Sequence, residues 1–232
     1  MVSDPISAEH EQRIHRYVVQ HDKGFAPNPF WGFCTLACCK PRIRKRARRG
    51  DIIMGFGSAS AEVGLGGRVI YWMKVDEIIS FDQYWSQSRF AAKKAEMQAG
   101  LMACYGDNIY HRDGSGIWKQ ANSFHSDGEG LGRGNLERDT STTDRVLIGR
   151  EFAYWGGTAR QFPKALKHLV PRGQAEPYKI SESDKAKVLA WIEAVPERGF
   201  CAPPADWARD HVSLPKSKGS APQNAVLGTA AC

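Results

Sequence analysis

The chain has 232 residues, 42% hydrophobic and 25% charged, a composition that suits a folded globular protein and excludes wholesale disorder. No apolar run approaches the ~20 residues that span a bilayer, and residues 1–10 form a polar tail without the basic-then-apolar pattern of an export signal, so a cytoplasmic protein with no membrane partner is expected. The formal net charge is +7, and Lys40, Arg42, Arg44, Lys45, Arg46, Arg48 and Arg49 equal that whole excess within ten residues that hold no acid, which points to a polyanion, nucleic acid foremost.

In chain order, residues 13–22 (RIHRYVVQHD) are rich in β-formers and predict a first strand. Residues 23–33 carry Gly24, Pro27, Pro29 and Gly32 among four aromatics, which predicts a loop folded back on the core. Pro41 suits the first position of a helix and Gly50 its end, bracketing 41–49 as a short basic helix with Ile43 and Ala47 inward. Three like-charge pairs then fall four apart, Arg42 with Arg46, Arg44 with Arg48 and Lys45 with Arg49, each costing roughly 0.2–0.5 kcal/mol that bound phosphates would offset.

Residues 51–58 and 67–81 read as strands, the second a long one. A helix is predicted in the second half of 81–100, closing at Gly100. The DGSG turn at 113–116 predicts a hairpin, the polar, glycine-rich 126–144 an exposed loop, and 144–157 a further strand. Residues 181–195 form a capped helix, with Ser181 or Ser183 at its start and Pro196 past its end. The tail from 213 to 232 lacks periodicity and predicts disorder.

The six cysteines, at 34, 38, 39, 104, 201 and 232, are scattered irregularly and read as reduced thiols, mostly small buried hydrophobes. Cys34, Cys38 and Cys39 lack the spacing of a zinc pair, so no metal site is assigned, and no cofactor is identified. Nearby cations favour a thiolate, which makes Cys34 a nucleophile candidate. His21 with Asp22, and His125, are the acid/base candidates, although strand neighbours such as His21 and Asp22 point to opposite faces. Asn28 is a polar residue at a presumed strand edge, and Gly55, Gly57 and Ser58 end a strand in a GFGS turn that admits close approach of a phosphate. Trp31, Tyr154 and Trp155, with Tyr71, Trp72, Tyr84 and Trp85, either stack on an extruded base or fill an aromatic core.

The stretch 17–58, with RVIYWMKVDEIISFDQYW, GDNIYHRDGSGIWKQANSFHS and VLIGREFAYWGG, resembles the bacterial and phage nucleotide-modification-associated domain family, type two, over roughly residues 14–170. His21, Asp22, Asn28, Pro29, Cys34, Thr35, Cys39, Lys40, Pro41, Gly50, Asp51, Gly55, Gly57 and Ser58 fit that family's pattern. The strands opening at Gly50–Asp51 and at Tyr71 also look like the PUA-like barrels, a group holding the EVE, ASCH and YTH domains. The resemblance implies an association with DNA-base hypermodification but carries over no catalytic residue.

The expected fold class is α+β: a small, mostly antiparallel PUA-like β-barrel with flanking helices. It would span 11–170, between a polar tail (1–10), a C-terminal helical extension (171–212) and the disordered tail. The expected function is action on nucleotides or DNA bases in a bacterial or phage-infected cell, alone or beside other base-modification enzymes. The basic helix would hold phosphates, and a base pocket would gather Asn28, Trp31, Thr35, Gly55, Gly57, Ser58, Tyr154 and Trp155. A non-catalytic reader of modified bases and an RNA-binding module stay open beside an enzyme.

Overall fold

The computed structural model describes residues 11–59, 64–126, 132–172 and 179–207. The first part of the chain forms β1 (Ile14–Val19), β2 (Cys34–Leu36), α1 (Pro41–Arg46), β3 (Ile52–Gly57), β4 (Val69–Lys74), β5 (Glu77–Ile79) and α2 (Phe81–Ser86). A 3-10 segment (Ser88–Lys93), α3 (Leu101–Cys104) and the β6 (Tyr110–Arg112) and β7 (Trp118–Gln120) hairpin follow. The last elements are α4 (Arg133–Thr140), β8 (Val146–Gly149), β9 (Phe152–Tyr154), a 3-10 segment (Lys164–Leu169), α5 (Glu182–Ala194) and β10 (Gly199–Phe200).

The main sheet runs β1-β3-β4-β9-β10, with β1 and β3 parallel, β9 and β10 parallel, and the pairs between antiparallel. A three-stranded antiparallel sheet runs β2-β8-β5. Side chains alternate across the main sheet as a pleated strand requires. Tyr17, Ile53, Tyr71 and Met73 face the smaller sheet and α1, and Ile14, Met54, Trp72 and Trp155 face α5 and the segment 162–169. On α5, Val188 and Ile192 lie one turn apart on the buried side, each contributing about 1.5–3 kcal/mol by leaving water. Ser181 caps that helix, accepting from the Asp184 N–H at 3.1 Å.

The expected barrel is corrected: this is a mixed α+β fold, and among the described residues no sheet closes on itself. The cause is a double sheet switch. The stretch read as one strand, 67–81, leaves the main sheet after Lys74 and enters the smaller one at Glu77; 146–154 crosses back between Gly149 and Phe152. Both crossings meet at Asp76, whose carboxylate accepts the Arg150 N–H at 2.6 Å while its own N–H donates to the Ile148 carbonyl at 2.8 Å. Gly149 is required there, since a Cβ would stand 2.6 Å from the Lys74 carbonyl oxygen.

Three local readings also change. The basic helix ends at Arg46 rather than Arg49, because the buried Asp51 carboxylate accepts the Arg48 N–H at 2.9 Å and draws the chain into β3. Only Arg42 and Arg46 of the three expected like-charge pairs therefore share a helix. In 81–100 the helix occupies the first half, where Ser80 and Gln83 form a reciprocal capping box, and Gly100 starts α3 instead of closing a helix. Within 126–144, expected as loop, residues 133–140 form α4 and 127–131 lie outside the described residues, as do both tails at 1–10 and 213–232. The DGSG hairpin forms, its Asp113 carboxylate accepting the Ser115 and Ile117 N–H groups at 2.9 and 3.0 Å.

Candidate functional site

Where β1 ends, the chain turns past His21 and Lys23 to Phe25, and this turn forms one wall of a cleft of about 640 Å³. Cys39, Lys40 and Arg42, at the start of α1, form the opposite wall, and Phe124, His125 and Arg138 complete it. Four cations, Lys23, Lys40, Arg42 and Arg138, line the cleft, and no carboxylate of the described residues does. Lys40 Nζ lies 4.7 Å over the Tyr17 ring and Lys23 Nζ 5.2 Å over Phe124, so the cations are interleaved with flat apolar surfaces.

The backbone at the cleft wall is strained. Cys39 and Lys40 both have left-handed φ, 58° and 46°, a conformation that is costly for residues with a Cβ. It is held from both sides: the Cys39 N–H donates to Asp139 Oδ1 at 2.9 Å, and the Cys39 carbonyl accepts from Arg44 Nε at 2.8 Å. The turn separates two adjacent cysteines, leaving Cys38 fully buried and Cys39 half-buried on the cleft.

Cys39 Sγ stands 3.7 Å from His125 Nε2 and 3.7 Å from Arg138 Nη2. On its far side, His125 Nδ1 lies 3.4 Å from Asp139 Oδ2 and 3.4 Å from the Tyr110 hydroxyl, which donates to the same carboxylate at 3.2 Å. Asp139 also accepts from Arg138 Nε and Nη2 at 3.1 and 3.2 Å. Burial opposes its ionisation, yet the His125 and Arg138 hydrogen bonds and the charges of Arg138 and Arg44 hold it below the usual carboxylate range. Burial pushes the Cys39 thiol up, Asp139 adding to the rise and Arg138, Lys40 and Arg44 opposing it, so the resting thiol is neutral and needs a base to react.

One alternative occupant follows from the donor set. One atom each of Cys38, His125 and Asp139 lie within 4.8 Å of one another, a sulfur, nitrogen and oxygen trio that could hold a metal ion such as zinc. The two guanidinium groups beside Asp139 would oppose a dication.

The structure distributes the sequence-predicted residues unevenly. His125, Lys40 and Arg42 line the cleft, and so does His21, whose side chain is 78% exposed with Nδ1 3.7 Å from Asp206. Asp22 turns inward, accepting from the Tyr154 hydroxyl and from the Ala205 N–H at 2.9 Å. Cys34 is wholly buried in β2, its thiol pushed far up by burial. Asn28 and Thr35 are buried ligands of Lys93. Tyr154 and Trp155 are buried in the core, and Ser58 is buried too; Gly55 makes room for the Tyr71 ring and Gly57 for the Leu65 carbonyl. Trp31, 37% exposed, instead borders a second hollow of about 250 Å³ with Phe30, Met102 and Arg150.

The basic run is equally divided. Arg44 is buried, and Arg49 Nε donates to the Asp76 carbonyl at 2.8 Å. Arg42, Lys45 and Arg46 are exposed, their side chains making no hydrogen bond or ion pair within the described residues. Sequence reasoning missed Cys39, Arg138 and Asp139 as site residues; the first matched the family pattern, and the other two sat in a stretch read as loop.

Asp22 supplies a pH test. Burial, with the Asp206 charge adding, raises its carboxyl to about 6 against the hydrogen bonds from Tyr154, Ala205 and Gly24. A raised folded value means a stabilising contribution that is full below the ordinary carboxylate value of ~3.9 and lost as pH rises through about 6. Relative to Asp22→Asn, wild type should lose about 2–3 kcal/mol between pH 4 and 7 and stay level above. Urea midpoints for both proteins across that range check this; a pH-independent difference refutes it.

Fold and cleft together define an α+β protein with a pocket lined by four cations and walled by aromatic rings. The chain belongs to the family described as nucleotide modification associated domain 2, which it matches over residues 11–211. That match runs past the 14–170 span of the resemblance and takes in α5 and β10. Comparison with curated proteins and with solved structures found no match. No helix among the described residues is long and apolar enough to cross a membrane.

Proposed function

We propose that the protein takes a nucleotide of a DNA strand into the cleft and serves base modification in the cytoplasm of a bacterial or phage-infected cell. The observation that carries this reading is a cleft lined by four cations, with aromatic rings and no carboxylate among the described residues. Phosphate oxygens would meet Lys23, Lys40, Arg42 and Arg138, and a base would lie against Phe25 and Phe124. The cleft's volume falls within the ~300–1,000 Å³ of small-molecule sites. Lys45 and Arg46, exposed on α1 beyond Arg42, extend the positive surface outward from the cleft, which favours a strand with flanking phosphates over a free nucleotide.

Fluorescence anisotropy with a labelled single-stranded oligonucleotide across a salt series tests the reading. Combining Arg42→Ala, Lys45→Ala and Arg46→Ala should flatten the slope of log K against log salt by about 2, at roughly 0.7 for each phosphate left unneutralised. An unchanged slope would sink the phosphate track. Competition with RNA of the same sequence separates DNA from RNA preference. Comparing nucleoside masses after incubation divides an enzyme from a reader, since binding with unchanged masses assigns the cleft to recognition alone.

A further inference from the structure

We infer that Cys39 is a nucleophile, activated by His125 and positioned with Asp139, that forms a covalent bond to an electrophilic carbon of the nucleotide held in the cleft. The nucleotide as target rests on the function proposed above; the activated thiol stands on its own geometry.

The three side chains lie in the order that thiol chemistry requires. Nε2 of His125 faces the thiol at 3.7 Å, within reach of its proton once substrate tightens the site. Nδ1 faces Asp139 Oδ2 at 3.4 Å, so a proton held on Nδ1 fixes the tautomer that leaves Nε2 as acceptor. The step is balanced. The thiol proton passes to Nε2, the sulfur pair forms the S–C bond, and the π pair of the attacked carbon moves onto its neighbouring atom. The imidazolium so formed lies against the Asp139 carboxylate. Reversal returns the proton to sulfur, and no oxidant or reductant enters.

The surrounding structure serves this alignment. Helix α4 supplies Asp139 and Arg138 and also fixes His125, whose carbonyl accepts from Asn135 Nδ2 at 2.9 Å. Gly132, at the same helix start, lies so close that a Cβ would stand 2.1 Å from that carbonyl oxygen. The His125 ring packs edge-on against Phe25, centroids 4.4 Å apart, and Arg138 Nη2 stands 3.7 Å from the sulfur, ready to meet a thiolate. Cys34 and Cys38 are fully buried, which makes them internal controls for reactivity.

Alkylation of the full chain by iodoacetamide, followed by peptide mapping, tests the thiol without needing a substrate. Cys39 should react faster than Cys34 and Cys38, and His125→Gln should slow it by roughly tenfold at pH 7 while leaving the alkylation of Cys34 and Cys38 unchanged. Asp139→Asn should slow it as well; because Asp139 is buried, its folding is checked by circular dichroism, and His125→Gln carries the test if that variant unfolds. Incubation with a single-stranded oligonucleotide and an acid quench should yield a protein–DNA adduct mass that Cys39→Ala abolishes. Cys39 alkylation indifferent to His125 overturns the activation. An activated thiol with no adduct overturns the nucleotide as its target and leaves the activation standing. Stoichiometric zinc in the purified protein, with Cys39 alkylation unaffected by chelation, overturns the triad in favour of a Cys38, His125 and Asp139 metal site.

Discussion

Arg44→Ala should destabilise the protein by about 3–5 kcal/mol, the usual consequence of removing one partner from a buried charged network, whereas Arg42→Ala, Lys45→Ala and Arg46→Ala should each fall within ~0.5 kcal/mol. The four residues look alike in the sequence. Only Arg44 is fully buried, donating Nε to the Cys39 carbonyl at 2.8 Å, Nη1 to the Arg145 carbonyl at 3.0 Å and Nη2 to the Asp139 carbonyl at 2.6 Å. Its removal orphans three acceptors and takes one of two guanidinium groups from beside the Asp139 carboxylate. Arg44→Lys should recover only part of the loss, because a single ammonium cannot span three carbonyls as a planar fork does. Urea denaturation measures both variants; a loss under 1 kcal/mol for Arg44→Ala would refute the assigned role. The same substitution should slow Cys39 alkylation, since Arg44 holds the strained carbonyl beside that thiol.

That contrast marks how far local sequence could be read. Runs of β-forming residues located β1, β3 and β4, the DGSG turn located the β6-β7 hairpin and the cap at Ser181 located α5, because each signal is local, whereas the short β2 and β10 carried no such signal. Ile43 and Ala47 were legible as inward-facing residues, and both are buried, Ala47 as the residue that ends α1. Arg44 follows Ile43 by only 100° around a helix, so its burial depended on whether a neighbour offered carbonyls, which no local pattern records. The double sheet switch was hidden for a similar reason: Asp76 and Gly149–Arg150 interrupt apolar runs only briefly, and whether a strand continues or changes partner is decided across 70 or more residues. Asp51 acts likewise, turning the chain out of α1 by accepting the Arg48 N–H on Oδ2, the same oxygen that His15 Nε2 meets from β1 at 3.0 Å. Within the cleft, His125 was legible as a titratable group. Its partners were not, since Cys39 lies 86 residues away and Asp139 sits on a helix that glycine and polar residues had disguised as loop.

Lys93→Met should cost about 3–5 kcal/mol at pH 7, and its gap from wild type should widen as pH rises above 8. Lys93 is almost wholly buried beneath the loop that leads to β2. Its Nζ lies 2.6 Å from Asn28 Oδ1, 3.0 Å from the Asn28 and Phe33 carbonyl oxygens and 3.1 Å from Thr35 Oγ1, four acceptors around three N–H groups. Thr35 in turn donates to Asp107 at 2.7 Å, as does the Tyr84 hydroxyl, so the cation and carboxylate communicate through one threonine. Methionine matches the length of lysine and satisfies none of these acceptors. The pH dependence follows from the ammonium's own shift: burial lowers it to about 8, against the pull of Asp107 and Cys34. A depressed folded value means a contribution that is full above the unfolded value of ~10.4 and lost as pH falls through about 8. Wild type should therefore gain on the variant by up to about 3 kcal/mol between pH 8 and 10. Guanidinium midpoints at pH 7, 8, 9 and 10 measure the trend. A gap that narrows instead would mean that Asp107 holds the lysine charged more strongly than burial opposes it. Because β2 leads directly to the Cys38–Lys40 turn, the same variant should also loosen the wall that carries Cys39, so its thiol should lose its dependence on His125 even under conditions where the variant stays folded.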